Sequence, residues 1–214
     1  MLKLIKPLFT LAMLFLAGTV MAQPVLYVEG THYETIAKPV RTIDPNKVEV
    51  TEVFWYGCPH CYAFEPLLEN WVSKLPSDVA FVRSPGMWNA MMQTHAQIFY
   101  TEQALGSFDK THKLVFDTIQ QQHNPLTTKE SVRQLFVTKN INPDDFDKAW
   151  DSFSVKTAVK QAEARMKDYG VNGVPNLIVN GKYRVSNNDA VTSHAQILQI
   201  ADFLIAKERA SLKH

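Results

Sequence analysis

The sequence predicts an α/β domain whose sheet is completed by two separate stretches of chain, with an α-helical block inserted between them. Three observations predict this. Val48–Arg83 has a strand–helix–strand pattern. Trp88–Tyr169 is helical in pattern throughout. After Gly170 the pattern turns to a hairpin followed by a helix. The expected division is 1–22 as a signal peptide, 23–86 as the first part of the sheet domain, 87–163 as the helical insertion and 164–214 as the second part. A chain of 214 residues, 46% hydrophobic and 20% charged, can bury a core of this size. A net charge of +1, without a basic block, excludes nucleic acid and a polybasic membrane contact as expected partners.

In chain order, Lys3 and Lys6 precede an apolar run, Leu8–Val20, and Val20 and Ala22 are small residues at positions −3 and −1 of a cut. This is a secretory signal cleaved after Ala22, because the run is short of the ~20 residues that span a bilayer. Val48–Trp55 reads as a strand whose alternate positions Val48, Val50, Glu52 and Phe54 share a face. Glu52 therefore stands where a hydrophobe is expected. Pro59 suits the first position of a helix, since its missing N–H would be unpaired there. Phe64, Leu67, Leu68, Trp71, Val72 and Leu75 form that helix's apolar stripe, with a kink expected at Pro66 and an end at Pro76. Val79–Arg83 is the second strand.

Within the helical block, one helix ends near Gly106 and another covers Thr111–Gln121. Thr127 and Glu130 have capping-box spacing. Asn142-Pro143-Asp144-Asp145 is a helix start with an Asn cap, and a long helix then runs toward Gly170. Asn176–Val179 and Lys182–Val185 flank Asn180-Gly181, a strong hairpin signal. The last helix starts near Ser193 and buries Ile197, Ile200, Ala201, Leu204 and Ile205.

The chemistry concentrates in Cys58-Pro59-His60-Cys61, which follows a strand and opens a helix. A C-x-x-C there reads as a redox site. Free N–H groups at the helix start favour a Cys58 thiolate, and His60 can add positive charge or a hydrogen bond. Cys61, one turn on, is more enclosed. Each unit by which the Cys58 pKa drops below 7 stabilises the dithiol by about 1.4 kcal/mol, or about 30 mV. These are the chain's only two cysteines. A structural bridge closing so tiny a loop would contribute little. Zinc needs further ligands, and covalent haem wants histidine where Tyr62 stands.

Beyond this motif, Gly173-Val174-Pro175 precedes a strand and, beside a redox site, points to a cis Val174–Pro175 bond. Buried, Glu52 would have a raised pKa and could pass protons during thiol exchange; the competing reading is an edge residue reaching water. His32, His95, His112, His123, His194 and His214 lack metal-type spacing and read as surface or structural. Met87, Met91 and Met92 read as core or surface positions, or as adaptable lining for a peptide surface.

The segment FWYGCPHCYAFEP, the helical insertion, GVPNLIVNGKY and the closing helix together resemble the DsbA family of bacterial periplasmic thiol:disulfide oxidoreductases. CPHC separates this pattern from the CGPC of thioredoxins and the CGHC of protein disulfide isomerases. The resemblance implies a thioredoxin-like fold with an inserted α-helical domain. It makes Cys58 the exposed nucleophile and Cys61 its buried partner. Val174 and Pro175 become the cis-proline pair that holds substrate backbone, and Glu52 the family's buried acid. Arg83 stands where relatives carry lysine and receives no role.

It also implies that the Cys58–Cys61 disulfide is donated to reduced exported polypeptides, with reoxidation by a DsbB-like quinone-linked membrane oxidase. No cofactor or metal is expected. An isomerase of this type would carry a dimerisation domain, for which Gln23–Lys47 leaves no room, so a monomer is expected. The alternatives are a reductase or isomerase on the same fold, and a peptide-binding chaperone whose disulfide is incidental.

Overall fold

The computed structural model describes residues 27–212; the signal segment, its cut site and His214 lie outside the described residues. The chain runs β1 (Glu34–Thr35), β2 (Val48–Phe54), α1 (Pro59–Val72), β3 (Val79–Pro85), α2 (Ala90–Ala104), α3 (Phe108–Gln120), α4 (Lys129–Val137), α5 (Pro143–Asp151), α6 (Phe153–Asp168), β4 (Asn176–Val179), β5 (Tyr183–Ser186) and α7 (His194–Leu212).

The strands form one sheet in the order β1-β5-β4-β2-β3. β2 and β3 are parallel, and the other pairs are antiparallel. β2 has neighbours on both edges and all seven of its residues are buried, as a strand covered on both faces must be. On one face, Val48 and Val50 pack with Phe64 and Leu68 of α1 and with Ile197, Ile200, Ala201 and Leu204 of α7. On the other, Val53 and Ile178 meet Met166 and Tyr169 at the end of α6. A third cluster begins at Phe54, passes through Cys58 and Cys61, and continues into Ile98, Phe116, Phe136 and Phe146. The cysteines thus sit where the sheet core and the helical block join.

Local chemistry explains most element ends. Asn180 and Gly181 both take positive φ (52° and 62°), and Lys182 N–H donates to Val179 O at 3.0 Å. This is the geometry of a two-residue hairpin turn. A Cβ on Gly181 would lie 1.9 Å from Val40 O, so only glycine fits. Asn142 caps α5 by accepting from Asp144 N and Asp145 N.

The structure departs from expectation in several places. α4 is capped by Thr128, not Thr127. Thr128 takes the extended backbone of a cap, and Ser131 closes the box from the other side. Glu130, released from that task, accepts from Gln134 Nε2. Leu67 is 38% exposed, and Glu65 is buried in its place. The reason is that α1 is covered by the helical block as well as by the sheet. α1 continues through Pro66 and ends at Val72, ahead of Pro76. The long helix expected before Gly170 is divided at Ser152, which caps α6 by accepting from Val155 N. The expected boundary at 163/164 falls inside α6. β1, which the sequence pattern did not reveal, is a two-residue edge strand on β5.

Candidate active site

The site is built at the end of β2. After Phe54 the chain turns through Trp55-Tyr56-Gly57, and Cys58 N–H donates to Trp55 O at 2.9 Å. A Cβ on Gly57 would lie 2.2 Å from the Trp55 ring, so this turn requires glycine. Cys58 is the N-cap of α1 with extended backbone, and Pro59 opens the helix. No side chain caps this end; the free N–H groups face the Cys58 sulfur instead.

Cys58 is 7% exposed and Cys61 0%. Cys58 is therefore the more accessible of the two, but it sits in a recess and does not stand out from the surface. His60 is exposed beside it. Both cysteines are free thiols. Cys58 Sγ lies 3.5 Å from Val174 O, and the Val174–Pro175 peptide is cis as expected. α1 and the loop before β4 therefore meet at the sulfur. A groove of about 760 Å³ extends from this point, lined by His60, Val174, Pro175, Asn176, Asn188 and His194 among others. The His194 ring packs on Phe64 of α1 at 4.8 Å between centroids.

The two thiols are driven apart in acidity. A hydrogen bond from Cys61 is the main influence lowering the Cys58 pKa to about 6; burial opposes it, and the Cys61 and His60 N–H groups and the His60 charge assist. Burial pushes Cys61 well up, with further contributions from Cys58 and Glu52.

Glu52 lies beneath, fully buried, and does not reach water. The parallel register sets it directly beside Arg83 of β3. Arg83 Nε donates to Glu52 Oε2 at 3.1 Å, and Nη2 donates to Glu65 Oε2 at 3.0 Å. Burial and the neighbouring Glu65 charge raise the Glu52 pKa to about 8, against the pull of Arg83 and His112. The cluster continues into the helical block. His112 Nε2 is 3.5 Å from Glu65 Oε2, His112 Nδ1 is 2.6 Å from Tyr56 Oη, and Tyr56 Oη is 2.6 Å from Glu102 Oε2. Among the described residues, no group of three or more His, Cys, Asp or Glu could hold a metal ion.

Pro59, His60, Cys58, Cys61, Val174 and Pro175 are thus brought together at one end of the sheet, with Glu52 below them. Arg83, Glu65, His112, Glu102 and Tyr56 were not singled out by sequence reasoning as parts of the site. His95 and His112 are both buried, not surface residues. His95 accepts at Nδ1 from Trp55 Nε1 at 2.8 Å. Met87 and Met92 are core residues, and Met91 is exposed.

Residues 78–199 match the family model of the DSBA-like thioredoxin domain. The thiol:disulfide interchange protein DsbA of Pseudomonas syringae pv. tomato is 46% identical over 184 residues, 86% of each chain. The chain belongs to the DsbA family. The DsbA of Pseudomonas aeruginosa strain PAO1 is 40% identical over 95% of each chain. A crystal structure of Pseudomonas aeruginosa DsbA superposes with a TM-score of 0.84 at 39% identity, covering 88% of this chain and 97% of that one. The oxidoreductase DsbA from Xylella fastidiosa gives 0.80 at 26% identity, covering 86% and 99%. This DsbA-family chain is accordingly a thiol:disulfide oxidoreductase on a thioredoxin-like fold, and it interacts with thiol substrates.

Proposed function

We propose that this DsbA-family protein is a periplasmic dithiol oxidase that donates a Cys58–Cys61 disulfide to newly exported polypeptides. The observation that carries the reading is the asymmetry of the two sulfurs. Cys58 sits at a helix N-terminus against Val174 O and favours the thiolate, while Cys61 is sealed and favours the thiol. A Cys58 pKa of about 6 makes the dithiol the better-stabilised form at pH 7, so the disulfide is the better oxidant.

In the proposed reaction a substrate thiolate attacks Cys58 Sγ in the disulfide. The S–S bond breaks, and Cys61 leaves with the electron pair and takes up a proton. A second substrate thiolate then attacks the substrate sulfur of the mixed disulfide, and Cys58 leaves as a thiolate. The substrate has lost two electrons and the protein holds them as a dithiol. His60 and the N–H groups after Pro59 stabilise the Cys58 anion, Val174 and Pro175 hold the substrate backbone in the groove, and Glu52 holds the proton exchanged with Cys61. A DsbB-like quinone-linked membrane oxidase restores the disulfide. The protein acts as a monomer after cleavage at Ala22, with the sheet domain interrupted by residues 87–163. No helix among the described residues is long and apolar enough to cross a membrane.

The test is the equilibrium of Gln23–His214 against graded reduced and oxidised glutathione, read by acid quench and alkylation. The dithiol should dominate even in mostly oxidised mixtures. A disulfide persisting in strongly reducing mixtures would make this a reductase site or a structural bridge. Cys61→Ala, first converted at Cys58 to its mixed disulfide with glutathione by oxidised glutathione, should exchange glutathione for a single-thiol substrate and accumulate a mixed disulfide with that substrate at Cys58.

A further inference from the structure

The buried cluster extends well past the acid beneath the thiols. It joins five elements: Glu52 of β2, Arg83 of β3, Glu65 of α1, Glu102 of α2 and His112 of α3, with the Tyr56 hydroxyl from the turn before Cys58. His112 is 3% exposed and walled by the rings of Phe54, Phe108 and Phe116. Tyr56 has one hydroxyl hydrogen. Donated to Glu102 Oε2, it leaves Oη to accept from His112 Nδ1–H. His112 Nε2 then faces the Glu65 carboxylate. With a carboxylate on each side of the ring, the imidazolium suits both positions.

Charge balance follows. An imidazolium and a guanidinium offset two carboxylates when the third carboxyl keeps its proton. Glu52 is the member beneath the cysteines, and its acidity responds to Glu65, Arg83 and His112. Glu65 and His112 also line a cavity of about 340 Å³ between α1 and α3, bordered by Tyr62, Pro66 and Lys113, which shares no lining residue with the groove beside His60. Solvent can therefore reach the cluster from the side away from the substrate groove. The other charged side chains lining this cavity are Glu69 of α1 and Lys113 of α3, and Lys113 is turned to Asp117 at 2.6 Å.

We propose that His112 is a positioning residue for the thiol–disulfide reaction: held as a cation between Glu102 and Glu65, it sets how firmly Glu52 keeps the proton that Cys61 takes up and returns. This rests on the role given to Glu52 above. When the Cys58–Cys61 bond breaks, the proton passes from the Glu52 carboxyl to the Cys61 thiolate. When the bond re-forms, Cys61 gives it back to the Glu52 carboxylate and its electron pair enters the new S–S bond. Without the His112 charge the cluster is more negative, Glu52 releases its proton only at higher pH, and return of the Cys61 proton is delayed.

The test uses oxidised glutathione and the reduced mature protein in rapid mixing. The first step, attack by Cys58, and the second, displacement of glutathione by Cys61, are followed across the neutral range. In His112→Gln the pH midpoint of the second step should rise by about one unit, with the midpoint of the first unchanged. In His112→Gln/Glu65→Gln, where one charge of each sign is gone, it should return toward the wild-type value. A uniform slowing with an unmoved midpoint would mean a merely structural histidine and overturn the proposal. If His112→Gln does not fold, nitrogen NMR of the wild-type ring decides: it should remain an imidazolium through neutral pH, and a neutral ring there also overturns the proposal. The glutathione equilibrium constant tests disulfide donation separately, because the midpoint shift is expected whatever that constant proves to be.

Discussion

Two regions of this molecule face each other across one turn of α1 and handle charge in opposite ways. At the thiol end, an anion is favoured by groups that cost nothing to bring there: the N–H groups of a helix start, one neighbouring thiol and an exposed histidine. At the carboxylate end, Glu52, Glu65 and Glu102 are buried, and burial raises the pKa of Glu52 and Glu102 despite nearby cations. The same strand–turn–helix connection therefore holds an easily ionised sulfur above a carboxyl that keeps its proton at neutral pH. Local backbone geometry suffices for the first; the second needs side chains from several elements.

Four substitutions would break or sharpen this contrast. Cys58→Ser should abolish substrate oxidation while leaving the fold intact, measured as turnover on a reduced model polypeptide; retained turnover would remove the thiol end from the chemistry. Arg83→Met leaves buried carboxylates without their shared partner and should cost about 3–5 kcal/mol of stability at neutral pH. Denaturant midpoints at neutral pH would show this, and a loss under about 1 kcal/mol would count against the ion pairs as what holds the cluster.

Glu52→Gln tests the sign of the buried acid. Its pKa rises from 4.5 in the unfolded chain to about 8 in the folded one, so the native state holds a proton that the unfolded state releases. Wild-type stability should then be highest below the unfolded value and fall as pH rises through that window. Glu52→Gln should flatten the slope by roughly 2–4 kcal/mol over the window, leaving the variant the more stable protein at its alkaline end. Asn142→Ala, far from both regions, should cost only ~1 kcal/mol through the lost α5 cap. It should leave the glutathione equilibrium and both pH profiles unmoved.

These substitutions also mark how far the sequence was legible. Cys58, Pro59, His60 and Cys61 lie within one helical turn, so their chemistry follows from spacing and a helix start. Asn180-Gly181 and Asn142-Pro143 are equally local, and the structure keeps both. Glu52 stood out because it broke an apolar alternation. Glu65 was hidden because an amphipathic reading of α1 assumes one buried face, whereas α1 has two. The Thr127 cap missed by one position because several neighbouring polar residues could fill that role, and backbone conformation selected Thr128.

By itself, then, the sequence determined the strand–helix–strand start, the helical block and the closing hairpin and helix, the redox pair and its helix-start setting, and the turn before Pro175, all of them carried by neighbouring residues. Only the tertiary structure decided that Val174 O meets the Cys58 sulfur, that Arg83 is shared by two acids, and that His112 from the inserted block reaches the same cluster. The physical reason is range. Caps, turns and dipoles act within a few residues of chain, whereas burial and ion pairing depend on which distant segments the sheet register and helix packing bring together.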